Sequence, residues 1–399
     1  MKKKQWTAAG LALLLTASLT ACGKENGQTV QAEQPDGVWV QFATTTGDVT
    51  TDSGEIALQY DYQLPTVTGI PGADKINEAW KSDREVFLHG SDFSVDAMKE
   101  DAADWFETYG DIAATPYILS TTMSVARADS KVLSFVPTFY TYTGGAHGYG
   151  AESGWTFDSQ TGQTLMLADI CVDETEFREF AESYILTLSQ SGQYQFDDGE
   201  SLFFNDYELS IPDVVEDGLW YFDEDGIVFI AQPYMLASFA VGTLTFPIPY
   251  ESLEGYIREE YLPEPIASSS GIGSLTMELT DGEHLVYDGE KTSDDDQHVV
   301  FTAEGDVYRL SVSTVGYYST LYEVPNSDLW CSHLADGEQF GIWQTFPTRG
   351  QLDSSQELGV ASSYLPVTCR VDYTTADGAA HAAKILLDDS GELYLKQIK

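Results

Sequence analysis

Helical periodicity stops at Leu262 and does not return. That break limits the fold more than any other feature, because everything beyond it must close a core with strands and turns alone. The stretch Pro263-Glu-Pro-Ile-Ala-Ser-Ser-Ser-Gly-Ile-Gly-Ser274 reads as a linker over residues 263–274. Past it, short strand-like runs such as Ser274–Leu279, Val299–Phe301, Val307–Val315 and Val367–Tyr373 alternate with turns. Residues 275–399 are therefore expected to form a mostly-β, sandwich-like domain.

Before the break the chain mixes both periods. Ile56, Leu58, Tyr60 and Tyr62 alternate along a half-buried strand, and Ala73 to Leu88 follows as a helix burying Ile76, Trp80 and Phe87. Val95, Met98, Ala102, Trp105 and Tyr109 recur at helical spacing over a second helix, with acids on its outer face. A hairpin follows, Tyr117–Ala126 and Lys131–Tyr142 around the turn Arg127-Ala-Asp-Ser130. A third helix starts near Asp173, and Glu176 stands in capping-box spacing. Leu219–Ala231 reads as another hairpin, Gly242–Pro249 as a strand and Glu251–Leu262 as a last helix. Hairpins in place of crossovers make residues 38–262 α+β with antiparallel sheets and packed helices. The expected units are a first domain over 38–143 and a second over 144–262.

The N-terminus sets the location. Lys2, Lys3 and Lys4 precede an apolar run, Ala8 to Leu19, too short for an ordinary membrane helix. The following Leu19-Thr20-Ala21-Cys22-Gly23 resembles the lipobox of bacterial lipoproteins. It implies a signal peptide over 1–21, lipidation of Cys22 and a polar tether over 22–37. The expected location is the extracytoplasmic face of the cell membrane, with the membrane as a partner through the N-terminal lipid. The chain holds 19 Lys and Arg against 64 Asp and Glu, a net charge of −45. Losing three lysines with the signal peptide makes it −48. Such a charge disfavours nucleic acid and draws in basic partners. Of the other cysteines, Cys331 and Cys369 share the β-rich region and form a candidate disulfide, worth about 3–4 kcal/mol in the chain-entropy model. Cys171 would then be unpaired.

Catalytic signatures are missing. Six histidines, at 89, 147, 284, 298, 333 and 381, include no pair at helical spacing and no His-Glu-x-x-His. There is no Gly-x-Ser-x-Gly, Ser-x-x-Lys or phosphate-binding glycine loop. The acidic runs at Asp223–Asp225 and Asp294–Asp296 lack the spacing of a calcium loop and read as solvated hairpin tips. The chain is expected to be no enzyme and to need no metal or cofactor. One stretch stands apart, Tyr140-Thr-Tyr-Thr-Gly-Gly-Ala-His-Gly-Tyr-Gly150, whose glycines allow a sharp turn around a lone histidine. Tyr140, Tyr142, His147, Tyr149 and Trp155 are the candidate ligand-binding residues, since exposed aromatics stack on sugars and anchor partners. His147 as a general base with Asp158 or Asp169 is the alternative.

Several segments carry a family resemblance. Tyr62-Gln-Leu-Pro and Ile76-Asn77 resemble the first of two domains of unknown function that travel together. Tyr142-Thr-Gly-Gly-Ala-His147, Thr161–Ile170, Asp225-Gly-Ile-Val-Phe, Pro233-Tyr234 and Phe246-Pro-Ile-Pro-Tyr250 resemble the second. The pair occurs in the ectodomain of a lysozyme-sensing anti-sigma factor and ahead of the catalytic domain of a peptidoglycan deacetylase. The resemblance covers about residues 45–255 and implies an envelope-facing binding or sensing protein, with lysozyme or cell-wall glycan as partner. It implies neither transcriptional control nor catalysis, because only three lysines precede the apolar run of the expected signal peptide and the histidines are not paired. The competing readings are a cell-wall hydrolase acting through His147 and a structural envelope lipoprotein without ligand.

Overall fold

Strand β1 (Trp39–Thr50) pairs on both its edges, and the rest of the chain is arranged around it. The computed structural model describes residues 37–109, 115–196, 199–263, 273–278, 285–289, 291, 294, 296–319, 322–344, 368–387 and 393–398. The signal peptide, Cys22, nearly all of the tether and most of the linker lie outside the described residues.

Antiparallel to β1 runs β2 (Ile56–Thr68), followed by α1 (Ala73–His89) and α2 (Val95–Tyr109). The stripe expected on α1 packs as Ile76, Trp80 and Phe87, and that on α2 packs through Val95, Met98 and Ala102 with Trp105 partly buried, whereas Tyr109 at the helix end is exposed. Strand β3 (Tyr117–Ala128) returns parallel to β2 and turns into β4 (Val132–Tyr142). Both β5 (Tyr149–Glu152) and β6 (Trp155–Asp158) pair with β4.

A second core follows. The short α3 (Leu167–Ile170) leads to α4 (Glu174–Ser189), whose first turn is capped by Asp173 accepting from the Glu176 N–H at 3.1 Å. Strands β7 (Trp220–Phe222), β8 (Gly226–Ala231) and β9 (Leu244–Pro249) form a three-stranded antiparallel sheet. All six residues of β8 are buried, as a central strand requires, and the prolines of β9 sit on an edge where a missing donor costs little.

Among the described residues nine more strands follow: β10 (Ser274–Glu278), β11 (Leu285–Asp288), β12 (Gln297–Glu304), β13 (Val307–Ser319), β14 (Tyr322–Leu334), β15 (Gln339–Gln344), β16 (Thr368–Thr375), β17 (Ala380–Leu387) and β18 (Leu393–Gln397). Four of them make a small sheet, β10-β12-β15-β11. The other five join β1, so one large sheet runs β18-β17-β16-β13-β14-β1-β2-β3-β4-β5, with β6 also on β4. Val299, Phe301 and Phe340 of the small sheet share a core with Leu310, Val312, Val371 and Ile385 of the large one. Trp39 belongs to this core while Val38 and Val40 belong to the first, because successive side chains on a strand face opposite ways. The fold is α+β with a strand-rich C-terminal region.

Three expectations are corrected. The helix expected over Glu251–Leu262 is two 3-10 turns, Tyr250–Ser252 and Glu259–Tyr261. Gly255 at φ +83° breaks any helix there, and Leu253, Ile257 and Tyr261 are buried with helical spacing but without a helix. Cys331 and Cys369 are free thiols, and so is Cys171. Cys331 stands opposite Leu310 and Cys369 opposite Thr314, so β13 lies between them. Two strand spacings, about 10 Å, exceed the roughly 7 Å that a disulfide spans. Arg127, expected in a hairpin turn, is fully buried.

Candidate functional site

The glycine stretch forms the turn from β4 to β5. Gly144 sits at φ +85°, and a Cβ there would stand 2.8 Å from the Trp105 ring of α2, so only glycine brings the turn against that helix. Tyr142 OH donates to Gly145 O at 3.1 Å, and the Tyr140 ring lies against Gly148. These two tyrosines are half-buried and fix the turn, whereas Tyr149 stays exposed.

His147 is exposed at the tip, and its Nδ1–H donates to Gly148 O at 2.9 Å. Its ring stacks on Phe239, with centroids 4.0 Å apart and planes 22° apart. Tyr234 stacks on the same Phe239, at 5.7 Å and 30°. The result is a surface row, His147–Phe239–Tyr234, that joins the glycine turn to the loop between β8 and β9. Gln232 ties the two segments at the backbone: its side-chain amide donates to Glu152 O, and the Glu152 N–H donates to Gln232 Oε1 at 3.1 Å.

Tyr234 is held in an unusual conformation. The Met235 N–H donates to Gln232 O at 3.0 Å across Pro233 and Tyr234, and Tyr234 has φ +73°. This is the pattern of a type II turn, whose third position favours glycine or asparagine. A tyrosine there costs on the order of 1 kcal/mol in strain, and its ring is 57% exposed. Burial therefore does not repay the strain.

The row offers ring faces and one imidazole, and among the described residues no ion pair to His147 is found. Asp158 accepts from the N–H groups of Gln160 and Thr161, and Asp169 accepts from the Met166 N–H. Both carboxylates that would serve His147 as a base are engaged in local turns. Trp155 lies elsewhere, stacked on Trp80 at 4.7 Å and lining a cleft beside α1. The structure thus brings Tyr140, Tyr142, His147 and Tyr149 together and sets Trp155 apart.

A buried junction forms around Arg127, at the far end of β3 from the glycine turn. Arg127 reaches from β3 to donate to Tyr250 OH and Tyr261 O, each at 2.7 Å, and pairs with Asp129 at 2.7 Å. Its guanidinium also lies over the Phe222 and Tyr250 rings. Glu224, expected at a solvated tip, instead pairs with Arg309 of β13 at 2.7 Å. Burial pushes its carboxyl up to about 7, against the pull of Arg309 and Arg127. Among the described residues, no cluster of three or more His, Cys, Asp or Glu side chains is arranged to hold a metal ion.

Comparison with known proteins follows the same division. Residues 52–149 match the family model described as deacetylase PdaC, and residues 169–251 match the protein family of unknown function DUF3298. The chain carries these two domains as a pair. Solved structures resemble it in part, two DUF3298 proteins among them. A DUF3298 family member from Bacteroides fragilis is 16% identical over 57% of this chain and 96% of its own, with a TM-score of 0.42. A DUF3298 protein from Pseudomonas aeruginosa is 17% identical over 56% of this chain and 96% of its own, with a TM-score of 0.37. No curated protein matches. The glycine turn, expected to open the second domain, closes the PdaC match, and Tyr234 and Phe239 belong to the DUF3298 match. The row is therefore made by both domains. Phe239 carries no periodic signal in the sequence, and its place in the row comes from its stacking on His147 and Tyr234, whereas Pro233-Tyr234 is visible as a motif.

Proposed function

We propose that this is a lipid-anchored, extracytoplasmic binding protein of the bacterial cell envelope, without catalytic activity, that recognises peptidoglycan fragments through the His147–Phe239–Tyr234 row. The observation that carries the proposal is Tyr234, a strained and exposed aromatic held beside two other rings at the meeting of two domains. Exposed aromatic faces stack on sugar rings, and strain retained in an exposed residue points to use beyond stability. The pairing of a PdaC-type domain with DUF3298 supports an envelope role. A binding role fits the row better than hydrolysis through His147, since Asp158 and Asp169, the two carboxylates that would orient the imidazole, cap local turns instead.

The net charge supports a second partner class, a basic protein such as lysozyme, drawn in by steering. Titrating the protein with muropeptides and with lysozyme across salt concentrations separates the two. Salt-insensitive muropeptide binding is expected for stacking; salt-sensitive lysozyme binding alone would favour the second partner, and no binding to either would reject the proposal. The lipid anchor is tested by Cys22→Ser, which should release the protein from the washed membrane fraction.

A further inference from the structure

Beside α1 lies a cleft of about 210 Å³, separate from the aromatic row, lined by Trp80, Asp83, Phe87, Phe93, Phe139 and Trp155 among others. It is too small for an oligosaccharide and suits a single head group. Asp83 supplies its inner charge. This carboxylate is half-buried and accepts from Tyr62 OH at 2.7 Å, and among the described residues no Lys, Arg or His pairs with it. Burial holds its carboxyl above the usual range, although the Tyr62 hydrogen bond pulls the other way. A carboxylate drawn out of water without a counter-charge is costly.

The surrounding rings can offset that cost by holding a cation beside the carboxylate. Trp155 and Phe87 wall the cleft, and Phe93 stands at its mouth, 66% exposed and at φ +47°. Ser94 fixes the loop beneath it by donating to Gly90 O at 2.6 Å and accepting the Ala97 N–H at 3.0 Å. Ring faces attract cations, and the attraction grows as water is excluded. Asp92 also lines the cleft and adds negative charge. A neutral sugar would leave Asp83 without a counter-ion; a cation supplies it. The chain's charge of −45 raises the local concentration of cations as well.

We propose that this cleft binds an organic cation of side-chain size, an alkylammonium or guanidinium group, with Asp83 as its counter-ion and Phe87, Phe93 and Trp155 around it. The site is distinct from the row and does not depend on it. Its test is titration of the full chain, followed by tryptophan fluorescence, with matched probes. Nα-acetyl-lysine amide and Nα-acetyl-arginine amide represent a basic side chain, and glucosamine represents an amino sugar. The Nε-acetylated lysine amide and N-acetylglucosamine are their uncharged counterparts.

At least one cationic probe should bind about tenfold or more tightly than its neutral counterpart, and which one does identifies the source of the cation. Asp83→Asn should weaken that binding by about tenfold. Phe93→Ala, which removes an exposed ring and leaves the core intact, should weaken it severalfold even where Asp83→Asn fails to fold. Equal binding of charged and neutral probes, no binding of any probe, or a folded Asp83→Asn or Phe93→Ala variant with unchanged affinity would each overturn the proposal.

Discussion

Tyr234 and Arg127 break local expectations in opposite directions, one exposed where an aromatic would be covered and one buried where a charge would be solvated. For Tyr234 the turn geometry yields a sharp expectation. Tyr234→Gly relieves the positive-φ strain and should leave stability unchanged or raise it by up to about 1 kcal/mol, measured by denaturant unfolding, while removing the ring from the row. A loss of stability would mean that the ring is needed for folding. For Arg127 the expectation is the reverse. Arg127→Ala leaves Asp129, Tyr250 OH and Tyr261 O without their buried partner and should cost on the order of 3–5 kcal/mol. Its burial was not legible in the sequence, because its partners lie 123 and 134 residues away and a polar tetrapeptide with Asp reads as a turn.

Elements were legible where one period held and one face was buried. The stripes of α1 and, as far as Trp105, of α2 packed as their spacing required, since an amphipathic helix has a single way to cover its apolar face. The segment from Glu251 shows the limit of that rule: Leu253, Ile257 and Tyr261 keep helical spacing, but Gly255 needs a positive φ and the Cys171–Ile257 bridge holds the backbone extended. The cysteine pair failed for a different reason, because proximity within a β-rich region does not reveal which strand stands between. Cys331 and Cys369 are buried free thiols, and burial pushes both thiols up. Labelling with an alkylating reagent should therefore reach them only after unfolding, without any reductant. A requirement for reductant would restore the disulfide.

At the scale of the whole molecule, β1 makes the first domain and the C-terminal strands one sheet, and the Arg127 and Glu224 contacts tie the DUF3298 domain to both. The linker composition at 263–274 was visible, but strand partners more than 250 residues apart were not, because register across such a distance is set by tertiary packing. Glu224 gives this junction a pH dependence. Its carboxyl is raised to about 7 in the folded chain, so between roughly pH 4.5 and 7 the folded state holds a proton that the unfolded state has lost. Stability should fall as pH rises through that window, by on the order of 2 kcal/mol, and level off above it. Glu224→Gln should flatten that slope in thermal melts taken across the window.

The central claim is recognition through a row built by two domains, and titration of muropeptides into the wild-type and Tyr234→Gly proteins tests it most directly. The wild type should bind, and the variant should lose tenfold or more of that affinity, a stacking contribution of about 1.5 kcal/mol, while its unfolding midpoint holds or rises. Equal affinity in the two proteins would contradict the account.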